Sequence, residues 1–331
     1  MKERIAWIDV SKGIGMLLVI LGHTLPLNNR LCAYIYTFHM PLFFFLSGYV
    51  FSSKGTFWEL IKKKSNSLLL PYVIYMGLGL CVTLLIPLWR TALFDYGWLK
   101  DIISGSPENM HNSSIWFLLC LFEVCIVFFF IEKLPDWIGI SAVIIIYVMG
   151  VASIKLGMPR FPLNLDCVPL ALVFYAGGYY ARKYSLIEKL IQNGKRLIIA
   201  LVVMLCISGC SFLINGYVNM HGLQVRNPIL YLTSGFSGLA VTILFSQLLI
   251  HYVPKLTKGL TWYGQHSLTI LCIQSLLIRL YALLAEVLFG TKLEMYKFPM
   301  NHAVISFVLV GIIIVPLYCL LVDKIKKSKR G

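Results

Sequence analysis

The chain has 331 residues, of which 59% are hydrophobic and 13% charged, with a formal net charge of +15. A water-soluble globule of this size needs more polar surface than that composition supplies, so a soluble domain is excluded. The composition is that of an all-α, polytopic membrane protein, a single integral membrane domain over residues 1–331.

In chain order, ten windows are apolar over roughly the 19 residues that a helix needs to cross hydrocarbon. They lie near 10–28, 33–52, 67–89, 114–131, 137–155, 166–181, 197–217, 229–252, 264–289 and 302–322. The bundle is therefore expected to hold about ten transmembrane helices. Neither an internal repeat nor a separate soluble domain is visible.

Basic residues are retained on the cytoplasmic side of a membrane, which sets the orientation. With both termini cytoplasmic, the inside segments hold 20 of the 29 Lys and Arg residues and the outside loops eight, with Arg279 inside a span. The run KKK at 62–64 and the terminal DKIKKSKRG then face the cytoplasm. Topology and contact with anionic membrane lipid explain the net charge, and no nucleic-acid partner is implied. The expected location is the plasma or inner membrane, multi-pass.

Several signals are missing. No small-x-small cleavage site follows the first apolar run, which reads as a retained helix. Most of the nine cysteines lie in spans and none forms a C-x-x-C pair, so neither a metal site nor a disulfide framework is expected. With no Walker loop and no G-x-G-x-x-G, an ATP-driven pump is disfavoured. No tightly bound cofactor is expected.

The polar residues inside the spans carry the remaining information, because an ionisable group in a bilayer costs about 2.5–3.5 kcal/mol and needs a partner or a task. In WIDVSKGIGMLLVILGHT, residues 7–24, Lys12 and His23 are separated by about 20° around the helix and about 16 Å along it. Asp9 lies on the same stripe. The lysine belongs at the cytoplasmic surface and the histidine beyond the midplane, a separation comparable to the reach of a pantetheine arm. His39, in FHMPLFFFLSG of the second span, is as far from the middle of the intervening loop as His23. In an antiparallel hairpin the two imidazoles are expected at similar depth.

These residues bring a resemblance with them. The segments DVSKGIGMLLVILGH and FHMPLFFFLSGYVF are similar to the acyltransferase-3 family of integral membrane acyltransferases, in particular its fucose 4-O-acetylase-like branch. The family's signature of a basic residue, ten intervening residues and a histidine matches Lys12 and His23. SIWFLLCLF at 114–122, FPLNLDCVPLALVFYAGGYYAR at 161–182 and WYGQHSLTILCIQ at 262–274 resemble its later landmarks in order. Gln274 departs from the pattern, standing where the family often has histidine. Glutamine hydrogen-bonds but does not shuttle a proton at neutral pH, so proton transfer is not expected there.

The resemblance implies an O-acyltransferase that moves an acyl group, usually acetyl from acetyl-CoA, onto a hydroxyl of a surface glycan or lipid-linked sugar. Neutral imidazole is well matched to accept the hydroxyl's proton, which makes His23 the candidate general base with His39 beside it, and an acyl-histidine the variant. Lys12, aided by the 62–64 run, is assigned to the donor phosphates, and Asp9 to positioning Lys12 or the helix end. Trp116 and Asp166, near the outer ends of their spans, are expected to stack on and hydrogen-bond the acceptor sugar. Glu123, on the face of the fourth span that carries Trp116, reads as structural. The competing function is an exporter or flippase of a surface polysaccharide or lipid-linked glycan.

Overall fold

The structure, a computed structural model, describes residues 5–52, 54–85, 112–191, 193–293 and 297–328. The expected outer loop near 90–113 and the end of the 67–89 span lie almost wholly outside the described residues. In chain order the helices are α1 (Ala6–Thr24), α2 (Arg30–Tyr36), α3 (His39–Tyr49), α4 (Phe57–Lys64), α5 (Leu70–Leu85), α6 (Trp116–Ile131), α7 (Asp136–Lys155) and α8 (Val168–Lys183). They continue with α9 (Leu186–Ile191), α10 (Gly194–Asn215), α11 (Pro228–Tyr252), α12 (Pro254–Gln265), α13 (Ser267–Phe289), α14 (Met300–Ser306) and α15 (Val315–Ser328). A π-helical segment, Ser65–Leu69, joins α4 to α5, and a second, Phe307–Ile314, joins α14 to α15. Among the described residues the remaining regular pairing is one isolated bridge, Asn219 with Gln224.

Among the described residues, seven helical runs are long and apolar enough to cross a membrane: Ala6–Thr24, Arg30–Tyr49, Asp136–Lys155, Gly194–Asn215, Pro228–Tyr252, Ser267–Phe289 and Met300–Ile325. Each coincides with an expected span. Of the other three expected spans, two coincide with α6 and α8, each 16 residues long, and the third with α5, which is described as far as Leu85. Sixteen residues are about 24 Å of helix against a hydrocarbon core of about 30 Å, so length alone does not qualify α6 and α8. α7 and α10 leave Ile144, Ile145, Val148, Ile199, Val202 and Leu213 exposed, an outward apolar surface of the kind lipid covers.

Local chemistry sets the breaks. α1 stops because Leu25 precedes Pro26 and adopts an extended backbone, ψ 147°. The second expected span is interrupted between α2 and α3, where the Thr37 hydroxyl donates to the Tyr34 carbonyl at 2.7 Å and His39 Nδ1 to the Ile35 carbonyl at 2.9 Å. Side chains there take carbonyls that a continuous helix would give to backbone N–H groups. The stretch between the eighth and ninth spans is not an open loop but α12, started by Pro254 in its first turn.

The chain divides into two compact units, Met1–His39, Gly194–Tyr217 and Thr233–Gly331 in one, Met40–Asn193 and Val218–Leu232 in the other. In the first unit, α1 and α12 run antiparallel at backbone contact. A Cβ added at Gly13 would fall 2.0 Å from the Leu260 carbonyl oxygen, and one at Gly264 would fall 1.8 Å from that of Asp9. Val10, Leu249 and Leu260 pack beside this crossing. Ser11 Oγ donates to Ser246 Oγ at 3.0 Å, and Ser246 passes its proton on to the Ile243 carbonyl at 2.7 Å, tying α1 to α11.

The second unit repeats the device with different residues. A Cβ at Gly48 of α3 would fall 1.9 Å from the Tyr175 carbonyl oxygen, and one at Gly178 of α8 would fall 1.9 Å from that of Phe45. Helices in lipid gain no hydrophobic drive toward each other, so small residues that admit close backbone approach carry the association. Phe51, Phe128, Tyr175 and Tyr179 pack edge to face around this crossing.

Gly264→Ala is expected to lower the melting midpoint and the yield of folded protein, since a methyl against the Asp9 carbonyl forces a backbone shift costing about 1–3 kcal/mol. Gly259→Ala is the control on the same helix, where an added Cβ meets nothing within 4 Å. Thermal unfolding of the two purified variants, compared with the parent, checks the difference.

Candidate active site

The stripe on α1 begins at the crossing with α12. Asp9 and Lys12 are both half-buried, and Asp9 sits in the first helical turn, where its charge complements the positive end of the helix dipole. It is not the N-cap: Ile5 holds that position, with no side-chain cap. His23 is buried in the last turn of the same helix. Gly22 beside it lets the helix end approach α2, with Tyr36 and Ile35 3.3 and 3.5 Å from where a Cβ would stand. The Cys32 thiol donates to the Gly22 carbonyl at 3.4 Å, fixing the same corner.

The partner of His23 comes from α13. His23 Nδ1 lies 3.0 Å from Gln274 Oε1 and 2.8 Å from the Gln274 amide nitrogen, and the Gln274 side chain is fully buried. The amide orientation and the imidazole tautomer are therefore linked. If the amide donates to a bare Nδ1, the imidazole proton sits on Nε2. If Nδ1–H donates to Oε1, Nε2 is the basic nitrogen, and the same contact persists when the ring becomes an imidazolium. Gln274, set aside at the level of sequence because it cannot shuttle protons, is the residue that orients the candidate base.

His39 starts α3, in the same unit. A carbonyl oxygen only accepts, so Nδ1 carries the proton donated to Ile35, and Nε2 is the basic position of the neutral ring. The imidazole packs edge-on against Tyr36, ring centroids 4.8 Å apart, and lies within electrostatic range of His23. The structure thus brings together His23, His39 and Gln274, with Lys12 and Asp9 some three turns of α1 away.

The other two expected site residues belong to a polar cluster in the second unit. Trp116, the first residue of α6, is buried with its indole stacked on the His221 imidazole at 4.7 Å and an interplanar angle of 1°. His221 Nε2 lies 3.1 Å from Asn164 Oδ1. One face of the indole is therefore occupied by a side chain. Asp166 receives the Arg160 guanidinium in a fork, Nε on Oδ2 at 2.5 Å and Nη2 on Oδ1 at 3.2 Å, and also the Phe161 N–H at 3.2 Å. Its carboxylate thus closes the 160–166 loop. It does not cap the helix that follows, since Cys167 is the N-cap of α8.

That closure holds an unusual backbone. Leu163 and Asn164 have φ of 61° and 65°, a left-handed region that asparagine tolerates and leucine resists. The loop presents Asn164 to His221. Sequence reasoning passed over Arg160, Asn164 and His221, since neither spacing nor periodicity links them to Trp116. Among the described residues, no group of three or more His, Cys, Asp or Glu side chains is arranged to hold a metal ion.

Comparison with known proteins gives this geometry a family. The profile of the acyltransferase-3 family, described as an acyltransferase domain, matches residues 5–322. The chain is 29% identical over 182 residues to the nodulation protein NolL of Sinorhizobium fredii, covering 50% of this chain and 45% of that protein. It is 25% identical over 303 residues to the nodulation protein NolL of Mesorhizobium japonicum, covering 83% of this chain and 77% of the relative. The alignment thus spans less than half the length of the first relative. No solved structure matches significantly. With nearly its full length matched by one family profile, the chain belongs to the acyltransferase-3 family of membrane acyltransferases.

Proposed function

We propose that this membrane acyltransferase moves an acetyl group from acetyl-CoA onto a hydroxyl of a surface glycan or lipid-linked sugar, working in the plasma or inner membrane. In this reading all ten apolar helices span, and both termini face the cytoplasm. The observation that carries the proposal is the pairing of buried His23 with Gln274 on a helix whose other end carries Lys12.

The chemistry follows from that pairing. A sugar hydroxyl is a weak nucleophile near pH 7, and an imidazole that accepts its proton during attack supplies the missing basicity. The hydroxyl oxygen bonds to the thioester carbonyl carbon as its proton passes to His23 Nε2. The C–S bond then breaks, and the departing CoA thiolate recovers the proton from the imidazolium. Net, one ester and one thiol replace one thioester and one hydroxyl. Nδ1–H stays on Gln274 Oε1 throughout, so the ring holds its orientation as its charge changes. His39 supplies a second imidazole at the reacting centre. Lys12 holds the donor's phosphates, and Asp9 keeps the lysine in place. Trp116 and Asp166 serve the acceptor, Asp166 through the loop it closes.

His23→Ala is expected to lower transfer about 10²- to 10⁴-fold per mole of membrane-inserted protein, as measured by mass spectrometry of surface glycans. Gln274→Leu and His39→Ala should each lower it about 10²-fold or less, because orientation rather than the base is lost. Each effect should be non-additive with His23→Ala, since the three side chains act as one unit. Full activity in a well-inserted His23→Ala variant removes this histidine from the reaction.

Lys12→Ala should raise the donor KM while leaving the acceptor requirement intact, and Lys12→Arg should restore part of the affinity, because the demand is for positive charge at a phosphate. An unchanged acetyl-CoA KM in Lys12→Ala membranes places the donor elsewhere.

A further inference from the structure

One ionisable side chain in the second unit is left without a use by everything above. Glu123 lies in the middle of α6, 8% exposed, and its Oε2 is fully enclosed with no hydrogen-bond partner among the described residues. The neighbours that act on it electrostatically are Asp166, Tyr72, Cys120 and Cys167. None of these is a cation, and the nearby Arg160 is already engaged by Asp166. A carboxyl group placed in an apolar helix with no internal partner destabilises the fold, whereas leucine or methionine at the same position would not. Such a group is expected to meet its partner in a ligand.

The surroundings select the ligand's chemistry. A divalent cation needs several oxygen ligands, and the closest other carboxylate, Asp166, has both oxygens on Arg160. An amine would be stripped of its water beside Cys120, on a helix that also buries Phe117 and Val124, and would have this one carboxyl as compensation. A hydroxyl donor loses far less on leaving water and offers the one thing Oε2 lacks. Trp116 stands two turns away on the same face of α6, so an apolar ring and a hydrogen-bond acceptor line one strip of helix. Ring plus carboxyl is a combination suited to a pyranose, whose C–H face stacks and whose rim donates.

We propose that Glu123 is an acceptor-binding residue that receives hydrogen bonds from hydroxyl groups of the sugar, on the strip of α6 that begins at Trp116. The inference rests on the proposed sugar-directed transferase activity and adds the group that selects the acceptor.

The test uses the full chain, purified in detergent, with radiolabelled acetyl-CoA and a panel of p-nitrophenyl hexosides as probes. Two readouts are taken: the KM of each substrate in transfer, and the thermal stabilisation produced by each hexoside without donor. In the parent protein at least one hexoside should stabilise the fold and accept acetyl. Glu123→Gln should raise that hexoside's KM severalfold and Glu123→Leu about tenfold, the range for a hydrogen bond between uncharged groups. Both variants should keep the parent's acetyl-CoA KM and an undiminished melting temperature.

The outcomes separate cleanly. If the parent transfers acetyl to a hexoside and both variants keep its KM, Glu123 does not bind the acceptor while the transferase reading stands. If a hexoside stabilises the parent but not Glu123→Leu and no acetyl is transferred, the site is real and the transferase reading fails. A parent protein that neither binds nor acetylates any hexoside overturns both. If Glu123→Leu melts well below the parent, the carboxyl has a structural role, and unchanged KM values in Glu123→Gln then overturn the proposal.

Discussion

The contact on which the candidate site depends is the backbone-to-backbone crossing of α1 and α12. Gly13 admits the Leu260 carbonyl and Gly264 admits the Asp9 carbonyl, each at a separation that any side chain would abolish. In lipid this close approach is the main source of helix affinity, through dispersion and Cα–H···O contacts rather than hydrophobic exclusion. Because the crossing grips the first two turns of α1, it fixes the rotation and depth of the whole helix. Asp9 and Lys12 lie within it, and His23 lies three turns beyond on the same rigid rod. The glycines thus set where the imidazole meets Gln274 without touching the reaction.

The second constraint is that polar groups removed from water need partners. Most of the buried polar side chains described here obey it by short chains of donation, as Ser11 to Ser246 to the Ile243 carbonyl, or Arg160 to Asp166. His23 obeys it through an amide that can serve either tautomer, and His39 through a carbonyl that enforces one. The two histidines therefore differ in kind. The proton position on His39 is fixed by the fold, while that on His23 is set by the orientation of Gln274, and a residue that must take and return a proton is better served by the second arrangement.

Much of this was legible in the sequence. Apolar windows placed helices at all ten positions, because a 3.6-residue repeat in a greasy segment has few other outcomes, and among the described residues seven meet the length for spanning. The stripe of Asp9, Lys12 and His23 was readable because all three sit on one uninterrupted helix, where angle and rise follow from residue number. Gln274, by contrast, meets His23 across a separation of 251 positions, and periodicity carries no information over that range. The role of Asp166 escaped for a similar reason: composition marks an acid near a span's end but not the arginine that engages it. The left-handed backbone at Leu163 has no signal in residue type, since leucine is the wrong residue for it, and the Arg160–Asp166 fork that closes the loop lies far from any periodic pattern.

The central claim is that His23 accepts the proton of a sugar hydroxyl while acetyl leaves CoA, and one experiment addresses it directly. Membrane vesicles bearing the full chain would be supplied with acetyl-CoA carrying carbon-13 in the acetyl group, and their glycans analysed by mass spectrometry before and after mild alkaline ester cleavage. The account predicts alkali-labile, labelled acetyl esters on glycan hydroxyls in parent vesicles, and a loss of about two orders of magnitude or more in vesicles with equal amounts of inserted His23→Ala protein. Labelled esters at the parent level in the His23→Ala vesicles, or unlabelled glycans in parent vesicles whose acetyl-CoA is consumed, would contradict it.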